Sequence, residues 1–319
     1  MTPRLIFMGT PQFAVASLRA CVELGEVVAV VTQPDKPRGR GQEVSFSPVK
    51  QAALELGLAV LQPLKLRGTD FAQQLRALEA DAAVVTAYGK ILPKDALEAP
   101  RLGCLNVHAS LLPRFRGAAP IQWALAHGDT HTGVCLMKMD EGMDTGPVIS
   151  RATLAILPDD TSATLHDKLS ALGGTLLREH LAAYLRGERT PVAQPTEGVV
   201  MAPMIKKEDG QLDFQRPGAE LERRLRAFTP WPGCFTHFEG ALLKVQALTA
   251  GTGCGTPGQV LRSAADGSKV ACAQGSVVLT CLQPEGKKPM TAQQFLAGRK
   301  VAVGSSPFAP LPGVRSPTA

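Results

Sequence analysis

The chain has 319 residues, 45% of them apolar and 19% charged, with a net charge of +6. That is enough for two domains with separate cores, and no apolar run is long enough to span a bilayer. The first residues, "MTPRLIFMGT", hold too short an apolar stretch for a signal peptide, so a cytoplasmic location is expected.

In chain order, "RLIFM" reads as a buried strand, "FAVASLRACVEL" as a helix and "EVVAVVTQ" as a second strand. A polar loop, "QPDKPRGRGQEVSFSPVK", follows at 33–50. Then come a helix ("SPVKQAALELG"), a strand ("LAVLQ"), a helix ("TDFAQQLRALEA") and two more buried strands, "DAAVVTAYG" and "GCLNVHAS". Apolar strands alternating with amphipathic helices predict a parallel sheet covered on both faces. "PIQWALAH" reads as a helix, "TGVCLMKMD" as a strand, and 161–187 as a long helix closing the first domain. Residues 189–207, rich in Pro and charge and without periodicity, read as a linker. Beyond it, short strand-like pieces between Gly-rich turns predict a small OB-like β-barrel over 208–303. The Pro-rich end, 304–319, reads as a disordered tail.

Charge is uneven along this plan. Residues 1–200 hold 20 Lys and Arg against 20 Asp and Glu, whereas 201–319 hold 14 against 8. The whole surplus lies in the second half and points to an anionic partner there. The seven cysteines are scattered with no CxxC, which argues for reduced thiols and against structural zinc.

Two features of the sheet carry chemistry. The first strand-to-helix turn, "FMGTPQFA", lacks the G-x-G-x-x-G spacing, and no P-loop appears, which disfavours dinucleotides and ATP. In "CLNVHASLLPRFRGAAPIQWAL", Asn106 and His108 alternate with apolar residues, so they share one strand face near a C-terminal end. A strand-end His alone reads more simply as a satisfied structural residue, and Asn as a turn former. The functional case rests on Asp144 in "DEGMDTGP", in the loop after another strand, where it would project over the same edge. An amide donor, an imidazole and a carboxylate suit attack on a carbonyl, where one well-placed donor is worth roughly 3–4 kcal/mol. Asp144 would stabilise the imidazolium or relay a proton. No Ser or Cys stands in a nucleophile elbow, so direct transfer is the simpler expectation.

"NVHASLLPRFRGAAPIQWA" with "GMDTGPV" resembles the folate-dependent formyltransferases. "FMGTPQFA", "QPDKPRGRG", "KKEDGQLDF" and "PWPGCFT" narrow the resemblance to the branch acting on methionyl-tRNA. The resemblance implies Asn106, His108 and Asp144 as catalytic residues. It also implies Ser110, Leu111, Leu112 and Pro113 as the wall for 10-formyltetrahydrofolate, and no metal. Lys36, Arg38 and Arg40 of the 33–50 loop, with Lys206 and Lys207 by the linker, are the expected contacts to methionyl initiator tRNA. Arg223, Arg224 and Arg226 form a further basic cluster, Trp231 reads as packing, and Met8 and Phe13 are candidates for a side-chain pocket. The implied plan is an α/β Rossmann-like formyltransferase domain (1–188), a linker, an OB-like tRNA-binding domain and a tail, working as a monomer. The rivals are a sugar-nucleotide N-formyltransferase, which the basic second half disfavours, and an RNA-binding module with a dead core.

Overall fold

The computed structural model describes residues 2–38, 43–297, 299 and 301–308. The first unit comprises Met1–Pro120, His131–Ala155 and Leu165–Ala202; the second comprises Ile121–Thr130, Ile156–Thr164 and the chain from Pro203 onward. The division is thus not a single cut near 188–208. Two short excursions of the first half belong with the second unit. Trp123 Nε1–H donates to the Pro203 carbonyl (2.8 Å) and its ring meets Phe228 edge-on, while Ser162 Oγ–H donates to the Thr229 carbonyl (2.6 Å).

The strands of the first unit are β1 (Arg4–Gly9), β2 (Glu26–Val31), β3 (Lys36–Arg38), β4 (Glu43–Ser45), β5 (Val60–Leu61), β6 (Ala82–Thr86), β7 (Cys104–His108), β8 (Arg116–Gly117), β9 (His131–Lys138), β10 (Val148–Ala155) and β11 (Met201–Ala202). Its main sheet runs β10-β9-β7-β6-β1-β2-β5. The five strands from β7 to β5 are parallel, as their continuous apolar runs predict, and Leu5–Met8 and Ala82–Val84 are almost wholly enclosed. The long helix is Ser162–Leu185, close to its expected span.

One expectation fails here. β9 is antiparallel to β7, with Leu105 opposite Lys138 and His108 opposite Cys135, and β10 is antiparallel to β9. The loop after β9 therefore leaves beside the start of β7, not at its C-terminal edge. It folds back over the sheet face. Alternation of strand and helix does not reveal this reversal, because a buried antiparallel strand has the same apolar composition as a parallel one.

Residues 189–202 are not an unpaired linker. Val192 exchanges two backbone hydrogen bonds with Val148 (2.8 Å each), and β11 pairs in parallel with β8. Met8 is fully buried in the sheet core with Leu75 and Tyr88. Phe13 is buried edge-on to His166 at 5.3 Å. Met8 is therefore no pocket wall.

The second unit holds β12 (Cys234–Phe238), β13 (Ala241–Gly251), β14 (Val260–Ala264), β15 (Gly267–Ala271), β16 (Ser276–Pro284) and β17 (Met290–Thr291). They form one antiparallel sheet of order β12-β13-β16-β15-β14, with β17 on β16. Among the described residues no pairing joins β12 to β14, so the ladder does not close into a barrel. The expected tail is also fixed at its beginning. Phe308 is buried between Phe214 and Phe238, with a backbone bridge to Phe238, so ring burial and backbone pairing together hold this segment. The remainder, 309–319, lies outside the described residues. No helix is long and apolar enough to cross a membrane.

Candidate active site

β7 sets Asn106 and His108 on one face, two residues apart. His108 is buried and Asn106 half-buried. Both meet Asp144, carried by the loop after β9. That loop is wound tightly: Asp140 accepts from Gly142 N–H (3.1 Å) and from Thr145 Oγ–H (2.7 and 2.9 Å). A side chain at Gly146 would collide with the Lys138 carbonyl. Asp144 itself sits in the left-handed region, at φ +53°, which Asp tolerates better than most residues.

Each oxygen of the carboxylate accepts one hydrogen bond. Oδ1 accepts from Asn106 Nδ2–H (3.2 Å) and Oδ2 from the Gly117 backbone N–H (2.9 Å), with His108 Nδ1 3.6 Å away. On the far side of the ring, His108 Nε2 lies 2.9 Å from the Phe115 carbonyl. A carbonyl only accepts, so Nε2 carries the hydrogen and the tautomer is assigned by its partner. Phe115, at φ +59°, is also left-handed. The sequence brings the three expected catalytic residues together. What it did not show is that the His108 Nε2–H is committed to the Phe115 carbonyl, while Nδ1, unprotonated in that tautomer, faces the Asp144 carboxylate at 3.6 Å without a hydrogen bond. Asn106 is then the donor left for a substrate oxygen.

The thiols on the strands beside the site are inert. Burial pushes Cys104 up to about 12 and also raises Cys135, so neither is a thiolate nucleophile near neutrality. Among the described residues, no cluster of three or more His, Cys, Asp or Glu could hold a metal ion.

The expected folate wall is only half available. Ser110 is buried, with its hydroxyl donated to the Arg114 carbonyl (2.6 Å). Leu112 is fully enclosed with Cys135, Met137 and Val148, a core position rather than a surface. Leu111 and Pro113 keep partial exposure.

The basic residues divide in the same way. Lys36 and Arg38 lie on the β3–β4 hairpin, and Arg40 lies outside the described residues. Lys206 and Lys207 are exposed. The Arg cluster is spent on structure: Arg223, Arg224 and Arg226 donate to the carbonyls of Ala126, Asp209 and Asp160. Arg224 is buried, and desolvation lowers its pKa. As a basic cluster these side chains were candidates for solvent or RNA; backbone carbonyls take one hydrogen bond from each, with Arg223 and Arg226 still half-exposed. Trp231, expected to be packed, is 53% exposed beside a groove of about 560 Å³ that Lys207 and Lys244 also line.

Two residues near the trio went unread in the sequence. Arg116 and Gln194 meet through the Gln194 amide oxygen, which accepts from Arg116 Nε (3.1 Å) and Nη2 (2.8 Å). The only signal for Gln194 was its place in a stretch whose composition hid it.

A formyl transferase family model matches residues 3–181, and a formyl transferase C-terminal domain model matches 204–300. The methionyl-tRNA formyltransferase of Myxococcus xanthus is 64% identical over 306 residues, 96% of this chain and 98% of that one. That of Neisseria meningitidis is 48% identical over 95% of this chain and 99% of its own. Among solved structures, an N-formyltransferase from Helicobacter canadensis, in complex with folinic acid and dTDP-3-aminofucose, superposes with a TM-score of 0.65. It is 17% identical and covers 88% of this chain and 99% of its own, a likeness of fold. HypX from Aquifex aeolicus, in complex with tetrahydrofolic acid, gives a TM-score of 0.58 at 17% identity over 92% of this chain and 47% of its own. By these matches, and with Asn106 and His108 on β7 meeting Asp144 from the loop after β9, the chain belongs to the formyltransferase family, in its methionyl-tRNA formyltransferase branch.

Proposed function

We propose that the protein transfers the formyl group of 10-formyltetrahydrofolate to the α-amine of methionyl initiator tRNA, making N-formylmethionyl-tRNA for translation initiation. The observation that carries this reading is 64% identity to a methionyl-tRNA formyltransferase over 96% of the chain, with Asn106 hydrogen-bonded to Asp144 and His108 3.6 Å from the same carboxylate. An unperturbed α-amine has a pKa of about 7.7–8, so a useful neutral fraction exists near pH 7. Its lone pair forms the new C–N bond, and the carbonyl electrons move onto the formyl oxygen. Asn106 Nδ2–H stabilises that oxyanion. Collapse breaks the bond from the formyl carbon to N10. The amine proton is lost, and N10 takes up a proton as it leaves. Asp144 and His108 are the groups placed to handle that exchange.

In this reading the pterin lies against Leu111 and Pro113, the members of the 110–113 stretch with exposed surface. The tRNA is held by Lys36, Arg38 and Arg40 of the loop and by Lys206 and Lys207. Trp231 joins them as an aromatic surface for an unpaired base. We read residues 208–303 as the tRNA-binding domain, and the protein as a cytoplasmic monomer without a metal.

The test is incubation with 10-formyltetrahydrofolate and, separately, methionyl initiator tRNA, methionyl elongator tRNA and a UDP-4-amino-sugar. Formylation of the initiator alone is expected. Transfer to the sugar would keep the trio and overturn the RNA reading.

A further inference from the structure

Gln194 lies in the Pro-rich stretch that reads as a linker, yet its amide is saturated. The two hydrogens of Nε2 go to the carbonyls of Asp144 and Gly146, each at 2.8 Å. The oxygen takes two donors from the Arg116 guanidinium. An amide offers two donors and two acceptor lone pairs, and all four are used.

The partners are not arbitrary. Asp144 and Gly146 bracket the turn that presents the catalytic carboxylate. Arg116 stands between Phe115, whose carbonyl takes the His108 Nε2–H, and Gly117, whose N–H holds the Asp144 carboxylate. Phe115 and Asp144 are both left-handed, conformations that persist only where the surroundings over-determine them. The same strand of chain is itself anchored on both sides of Gln194, by the Val192–Val148 bridge and by β11 on β8.

We infer that Gln194 is a positioning residue for the transfer reaction: it clamps the Asp144 turn to the Phe115–Gly117 segment and so sets the distance between carboxylate and imidazole. The inference rests on the proposed function. Neither a shorter side chain nor an acceptor-only one can replace it.

Gln194→Glu is the sharper test. It keeps the length and the acceptors for Arg116 but cannot donate to the two carbonyls when ionised. Gln194→Ala removes every bond. For both variants, kcat for formylation of methionyl initiator tRNA should fall roughly 10- to 100-fold, the scale of an ångström of misplacement. KM for each substrate should stay within about twofold, and the fall in kcat should persist after kcat is referred to the folded fraction, which removes the loss that unfolding alone would cause. Urea unfolding reports which variants are folded, and should Gln194→Ala not fold, the isosteric variant carries the test. Wild-type kcat in Gln194→Glu would overturn the clamp, because the Arg116 contact would then suffice. A rise in KM at unchanged kcat would also overturn it. A wild-type chain silent on methionyl-tRNA would overturn the proposed function, and the inference with it.

Discussion

Asp144→Asn isolates the chemistry of the site from its architecture. Asn accepts the left-handed φ of +53° as readily as Asp, so the backbone has no reason to move. The side chain does have one. The carboxylate accepts from Asn106 Nδ2–H and from Gly117 N–H, one bond per oxygen. An amide has one oxygen, so its NH2 must face one of those two donors. One charge-assisted bond, worth about 1.5–3 kcal/mol, becomes a donor–donor contact, and the negative charge 3.6 Å from His108 Nδ1 disappears. Together these should remove about 3–5 kcal/mol of transition-state stabilisation. At about 1.36 kcal/mol per tenfold, that is roughly 10²- to 10⁴-fold in kcat. The assay is single-turnover formylation at saturating folate and tRNA, with circular dichroism to show the fold intact. A folded variant losing less than tenfold would refute the assignment of the carboxylate to the reaction.

Leu112→Ala should cost about 2–5 kcal/mol of stability, read as a lowered urea midpoint, because the side chain is fully enclosed; a raised KM for folate at unchanged stability would show it facing the substrate after all. Asp81 gives a pH signature. The Arg4 backbone N–H and the Arg101 guanidinium hold its carboxyl below the ordinary 3.8. The stabilisation is therefore complete above the ordinary value and is lost as pH falls through the lower folded-state value. Asp81→Asn should flatten the unfolding midpoint across that acid range while wild type declines. Iodoacetamide should modify Cys254, the exposed thiol, well before the five buried ones, as read by peptide mass spectrometry; early loss of Cys21 or Cys234 would contradict their burial.

The parallel strands were legible because each is a continuous apolar run, and two members of the trio because alternation puts Asn106 and His108 on one face; Asp144 was legible only from its loop and the family resemblance. Direction was not legible: nothing in "TGVCLMKMD" says that β9 runs against β7, yet that reversal sends the Asp144 loop across the sheet face. Leu112 reads as an apolar wall or as a core residue with equal ease, since burial depends on what β9 and β10 bring against it. Gln194 was hidden by composition. Prolines and charge describe a segment that forms no periodic element, but such a segment can still pair its backbone at two points and present one side chain with full effect. The Arg cluster failed in the opposite sense, as carbonyls of distant loops claimed guanidiniums that looked free for solvent.

The hydrogen bond from His108 Nε2 to the Phe115 carbonyl has a directional consequence. With that nitrogen's hydrogen committed to a backbone oxygen, any proton the ring gains can enter only at Nδ1, on the side of the carboxylate. In the proposed reaction, proton traffic through the imidazole would then be reduced to a single port beside Asp144. The ring would be a reservoir filled and emptied from one side, and no two-ended wire between opposite faces of the site.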